Sequence, residues 1–162
     1  MKPARLGVQG GVWVELLLTI GPFLLLSLSV WQEAILCSGQ VLTAHSAVGA
    51  ARAASVVLTD DPKRYSGEAV NTASPRRLQA VRTAAVRAMS PMVYDETIEQ
   101  VEVALPGVTS IKPGQELTVR VTATFRCKLP FARLVLCGAD GTRPLMAEAT
   151  LPAQAARYTY EK

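Results

Sequence analysis

The chain has 162 residues, a formal net charge of +4, 49% hydrophobic residues and 6% aromatic residues. That length holds one small domain plus a membrane segment. Scattered basic residues and sparse aromatics argue against nucleic-acid binding, which needs a clustered cationic face or stacking rings. The single histidine, His45, removes most metal and acid–base schemes.

The first predicted element is a membrane-length apolar run. Across residues 11–31 the only charged side chain is Glu15. At 1.5 Å per residue, about 20 helical residues cross a hydrocarbon core ~30 Å thick. A cleaved secretory signal has a shorter apolar region and a small-x-small cleavage site, whereas here the helical pattern continues beyond the run. Lys2 and Arg5 precede the span, and no basic residue follows it until Arg52. The positive-inside rule then places the N-terminus in the cytoplasm and the rest outside. Trp13 and Trp31 fall near the two ends, where indole rings favour the interface.

Glu15 is costly in lipid, by about 2.5–3.5 kcal/mol at the bilayer centre and less near an end. One reading is a carboxylate that snorkels to the nearby cytoplasmic interface. The other starts from Gly10 and Gly11. Cutting between them makes Glu15 the fifth residue of the mature chain, the arrangement that type IV prepilin peptidases process. The new amine at Gly11 would lie at the depth of Glu15. The amine of one subunit would neutralise the carboxylate of the next and set register, the best-attested use of a buried ion pair.

Gly10-Gly11-Val12-Trp13-Val14-Glu15-Leu16, followed by a leucine-rich run with Pro22 seven residues after Glu15, resembles the start of the TadE-like pseudopilins of bacterial tight-adherence (Tad) pili. That family pairs a small residue at the end of the leader with Val-Glu-Phe or Val-Glu-Leu and then Leu-Pro. Here Gly21 stands before Pro22 where leucine is common. The C-terminal Ala155-Ala156-Arg157-Tyr158-Thr159-Tyr160-Glu161 is also similar to the short strand with which many members end. The resemblance implies a minor pseudopilin with residues 1–10 as leader, and a single-pass inner-membrane protein with its C-terminal domain in the periplasm. Its partners would be the prepilin peptidase, other pseudopilins and the major pilin. It implies no nucleic acid and no small-molecule substrate. The alternative is an uncleaved single-pass envelope protein with a periplasmic binding domain.

Pro22 lacks an N–H and crowds the carbonyl four residues back, so it is expected to kink or open the helix. The carbonyl of Leu18 would then need another donor, such as the Thr19 hydroxyl or a neighbouring helix. Helical signal continues to about Leu58. Val41, Ala44, Val48, Ala51, Ser55 and Leu58 recur at spacings of three and four and define one face. Ala47, Ala51 and Ser55 form a small-xxx-small row that permits close backbone approach, to the chain's own head or to another subunit. His45 reads as a half-buried helix residue and Cys37 as an ordinary small apolar one.

Thr59-Asp60-Asp61-Pro62 stops the helix, and residues 60–74 read as a polar loop with a possible helical turn. Ser74-Pro75 supplies an N-cap and a first-turn proline. Leu78, Val81, Ala85 and Met89 make the apolar stripe of a second helix that Pro91 ends. Arg76, Arg77, Arg82 and Arg87 lie off it, as a solvated face.

Val101, Val103 and Leu105 alternate with Gln100, Glu102 and Ala104 as a strand. A clearer one alternates Leu117, Val119, Val121, Ala123, Phe125 and Cys127 with threonines and arginines, one face buried and one wet. Residues 143–151 and 155–161 predict one or two more. The expected fold is α+β: a transmembrane helix over 11–32, its continuation over 33–59, and a head over 60–162 with a small antiparallel sheet under the helices. Cys127 and Cys137 flank an apolar loop outside the cytoplasm, where thiols oxidise, so a disulfide between them is expected. Cys37 is left over. The cysteines form neither CxxC nor zinc spacing. No nucleophile–histidine pair beyond His45 and no phosphate-binding glycine loop is present, so neither an enzyme nor a cofactor is expected.

Overall fold

The computed structural model describes residues 9–129, 133 and 136–156. It is α+β: one long helix, shorter helices and a three-stranded antiparallel sheet. Helix α1, Gln9–Val57, has 49 residues, about 73 Å at 1.5 Å per residue. It runs through Pro22 without an interruption in its helical assignment. Its first half is apolar on all sides and none of residues 11–31 is buried: Trp13, Leu17, Leu18, Phe23 and Leu26 are all exposed. In water such a surface would be an aggregation patch, whereas in lipid it is the expected state of a spanning helix. The helix is long and apolar enough to cross a membrane.

From Gln32 onward α1 becomes one-sided. Gln32, Leu36, Gly39, Thr43, Ser46, Ala50 and Ala54 are buried at spacings of three and four. This corrects the predicted face. Val41 is 72% exposed and Val48 40%, and Ala44 is exposed as well, while Ala51 and Leu58 of the same row are fully buried. Hydrophobicity alone chose the larger side chains. The head instead selects glycine, alanine, serine and threonine, because small residues let the helix lie close to the sheet. At Gly39 an added Cβ would stand 3.0 Å from Leu145 Cδ1 and 3.2 Å from Phe125 Cδ2. Ser46 serves the same closeness on the other side by donating to the carbonyl of Ala85 at 3.1 Å.

A 3₁₀ turn, Pro62–Tyr65, follows the helix, with Asp61 accepting from Lys63 N. Helix α2, Pro75–Ala88, begins at Ser74, but Ser74 makes no capping bond; its hydroxyl is paired with the Glu68 carboxylate. Val81, Ala85 and Met89 are buried as predicted. Pro91 does not end this segment: it opens the first turn of a short helix α3, Ser90–Tyr94, where its missing N–H costs nothing.

The strands are β1 (Ile98–Ala104), β2 (Glu116–Arg126) and β3 (Thr142–Pro152), in the order β1-β2-β3. Leu117, Val119, Val121, Ala123 and Phe125 all face the helices and are fully buried. Register places Val103 and Ala147 beside Val121, and Leu151 beside Leu117, so three strands share one apolar face. The other face is uncovered and polar. Thr118 bonds Thr150 at 2.9 Å, and Arg120 pairs with Glu148. Such exposed pairs stabilise little, which fits a solvated surface. Each sheet edge is touched by a helix side chain: Gln40 of α1 donates to Met146 O at 3.0 Å, and Arg82 of α2 donates to Val101 O at 2.8 Å. Occupied edge carbonyls are poor templates for unwanted strand pairing. Residues 153–156 are not a strand; the rest of the predicted final strand lies outside the described residues.

Candidate functional site

The candidate site is the membrane end of α1. Gly10 and Gly11 are both helical, within the first turn of α1, and Glu15 lies a little over one turn further on, with an exposed side chain. Among the described residues the Glu15 carboxylate has no partner, although its backbone carbonyl accepts from Thr19 Oγ1 at 2.7 Å. The same hydroxyl also reaches Leu16 O at 3.2 Å, not Leu18 O, so it does not serve the carbonyl that Pro22 deprives. Ser27 and Ser29 bond back to the carbonyls of Phe23 and Leu25. These serine and threonine hydroxyls are thus satisfied within the helix, as lipid requires. Glu15 is the exception, a charge with no partner among the described residues.

Among the described residues nothing from the head bonds to the Glu15 side chain. The head meets α1 about 17 residues later, where Gln32 Oε1 accepts from Leu129 N at 3.3 Å. That bond sets the start of the β2–β3 connection one residue beyond Trp31, which is itself 71% exposed. Cys127 and Cys137 close this connection in a disulfide, as the sequence suggested, while Cys37 is free and exposed. At its two ends Asp95 and Asp140 are held below the usual carboxylate range, chiefly by hydrogen bonds from Thr97 and Thr142. Cys127 N donates to Gly141 O at 2.9 Å, and Gly141 has φ +77°, a conformation glycine adopts without strain. Most of the apolar sequence between the cysteines lies outside the described residues.

The disulfide closes a loop of sequence separation 10 and should stabilise the head by about 2–3 kcal/mol on the chain-entropy account. Replacing both cysteines by serine should therefore lower the thermal midpoint of the detergent-solubilised protein by roughly 5–10 °C. An unchanged midpoint would show that the bridge adds nothing to the folded head.

One residue went unrecognised in the sequence. Arg77, expected on a solvated face, is fully buried. Its guanidinium donates to the carbonyls of Val57, Asp60 (3.1 Å) and Glu68 (3.2 Å), and it stacks 4.4 Å over the Tyr65 ring. Burial and the neighbouring Asp60 carboxylate raise the Tyr65 hydroxyl above its ordinary pKa. Arg77 thus sits at the C-terminal end of α1, where the helix leaves carbonyls unpaired and favours a cation. Its signal in the sequence was faint: a second arginine in the first turn of α2, one place before the apolar Leu78.

His45 is exposed, and among the described residues no group of three or more His, Cys, Asp and Glu side chains could hold a metal ion. No family model, no curated protein and no solved structure matches the chain.

Proposed function

We propose that this chain is a minor pseudopilin of the TadE-like kind, a membrane-anchored subunit that acts in assembling a tight-adherence pilus. The observation that carries the reading is Glu15. Among the described residues it is a carboxylate without a partner, on an otherwise apolar stretch of helix, five residues after Gly10. A carboxylate in lipid calls for a cationic partner. A cut between Gly10 and Gly11 creates an α-amino cation on the same helix. Residues 11 and 15 are four apart on one helix face, so that amine can meet its own Glu15 in a lone subunit and, in the proposed assembly, the Glu15 of a neighbour.

The continuous helix from span to head supports the same reading. Gly11–Val57 is one piece, so a head outside the membrane would move with any displacement of the span. In the proposed orientation residues 1–10 face the cytoplasm and are removed by a prepilin peptidase, and the head stands in the periplasm. Pro22 weakens the backbone ladder in mid-span, which eases bending as the helix leaves lipid for a filament.

The test is the N-terminal residue of the protein from its native membranes, read by intact mass and N-terminal sequencing. A start at Gly11 is expected, and Gly10→Arg should leave the full-length precursor. A start at Met1 in cells with active prepilin peptidase, or Gly10→Arg still trimmed at the same bond, would overturn the proposal in favour of an uncleaved envelope protein.

A further inference from the structure

One rim of the head lies at the level where α1 leaves the apolar core of a membrane. Gly11 to Trp31 is ~30 Å of helix, the thickness of that core, so Gln32 enters the headgroup layer. Gln32 Oε1 accepts from Leu129 N at 3.3 Å, which fixes the end of β2 at the same height. The Lys128 ammonium in turn donates to the backbone carbonyl of Asp95 and lies 3.7 Å from its carboxylate. Gln32, Ile35, Asp95, Thr97 and Lys128 line one cavity. Ile35 stands only ~4.5 Å along the axis from Gln32, and a headgroup layer is about 5–7 Å deep on each side of the core. These contacts therefore place the corner between α3 and β1 within the headgroup layer.

The residue at that corner is Tyr94, and it is 92% exposed. A tyrosine has an apolar body and a polar tip, the combination that favours a membrane–water interface. Trp31, also exposed, stands at the same level on α1. We infer that the head rests this rim on the bilayer surface, with Tyr94 seated among zwitterionic phospholipid headgroups at the depth of Trp31. This rests on the membrane anchoring of the proposed function, and not on cleavage at Gly10.

The charges of the rim select the headgroup class. Arg126 is paired with Glu99 at 3.2 Å and Lys128 with Asp95. Arg143 and Glu33 line a second cavity together, and Arg133 packs on Gly141, the neighbour of Asp140. A polybasic patch draws a protein to anionic lipid, but here carboxylates stand beside the cations and cancel that attraction. Alternating charges instead match a headgroup that carries both a phosphate and an ammonium. The contact is therefore driven by the interfacial preference of Tyr94 and by the tether of α1, and salt should leave it unchanged.

The experiment uses the full chain, with Cys37→Ser, in vesicles of phosphatidylcholine. A nitrobenzoxadiazole fluorophore is attached in turn to Tyr94→Cys, to Lys112→Cys and to Ile20→Cys, and quenched by lipids with a nitroxide on the headgroup or on the acyl chain. Lys112 lies beyond the opposite end of β2, roughly 33 Å from the rim along the strand, so headgroup nitroxides should quench the label at 94 about twofold or more over that at 112. Replacing half of the lipid by phosphatidylglycerol, or adding salt, should not change that ratio. Equal quenching at 94 and 112, with the label at 20 quenched by acyl-chain nitroxides, would overturn the resting rim while leaving the membrane anchoring intact. Quenching at 94 that needs phosphatidylglycerol would overturn the zwitterionic assignment. No acyl-chain quenching at 20 would overturn the anchoring itself, and this inference with it.

Discussion

Replacing Arg77 by alanine should destabilise the head by about 3–5 kcal/mol, because three carbonyls lose a charged donor and each buried acceptor left unpaired costs about 1–3 kcal/mol. The side chain is fully buried and donates to three backbone carbonyls from three different stretches: the end of α1, the turn after it, and the loop before α2. Among the described residues no carboxylate is paired with the guanidinium. Without it the carbonyls are left without their donor and the Tyr65 ring loses the cation over its face. The thermal midpoint should fall by roughly 10 °C or more. Arg77→Met keeps most of the stem and removes the donors, so it should cost nearly as much. Arg77→Lys should recover only part, because one ammonium cannot reproduce a planar fork reaching three acceptors. If Arg77→Met were as stable as wild type, the hydrogen bonds would be shown to contribute nothing and the packing everything.

Phe125→Ala should cost a similar ~3–5 kcal/mol, as expected for removing a buried aromatic ring from a packed core. Phe125 is fully buried on the helix-facing side of β2, directly under Gly39 of α1. The two positions are complementary: the ring occupies the room that a Cβ at residue 39 would need. Gly39→Leu should therefore destabilise as well, by about 1–3 kcal/mol or more, by pushing α1 off the sheet. Combining it with Phe125→Ala should restore part of the loss, since the new side chain enters the space the ring vacates. Denaturant midpoints of the four proteins form a double-mutant cycle. Additive effects would show that helix and ring do not compete for the same volume.

Both predictions concern how the long helix is held to its head, and that attachment matters to the proposed role. In that proposed role, a subunit moved by its span would carry its head along only while α1 and the sheet stay together. A weakened head would leave Glu15 and the Gly10–Gly11 bond unchanged, so processing and head stability should respond to different substitutions.

Much of this architecture was legible in the amino-acid sequence because it follows from local rules. The span is a matter of length and composition: about twenty residues with a single charge, whatever they pack against. Strand β2 alternates so regularly that its buried residues could be named individually, since side chains on a strand point to opposite faces in turn. Glu15 stands out for the same reason, as a charge where its surroundings allow none.

What the tertiary structure decided is which of several possible surfaces is used. Past Trp31, α1 carries apolar or small residues on two opposite faces, and its periodicity fits either. Only the presence of Leu145 and Phe125 beneath Gly39 settles that the small residues face the head and Val41 and Val48 face outward. Arg77 was hidden for a related cause. Arginine is ordinarily a surface residue, and its burial depends on carbonyls contributed by Val57, Asp60 and Glu68, which come together only after the chain has turned back on itself. Periodicity is a property of one segment, whereas a buried partner is a property of two, and the second is fixed by packing.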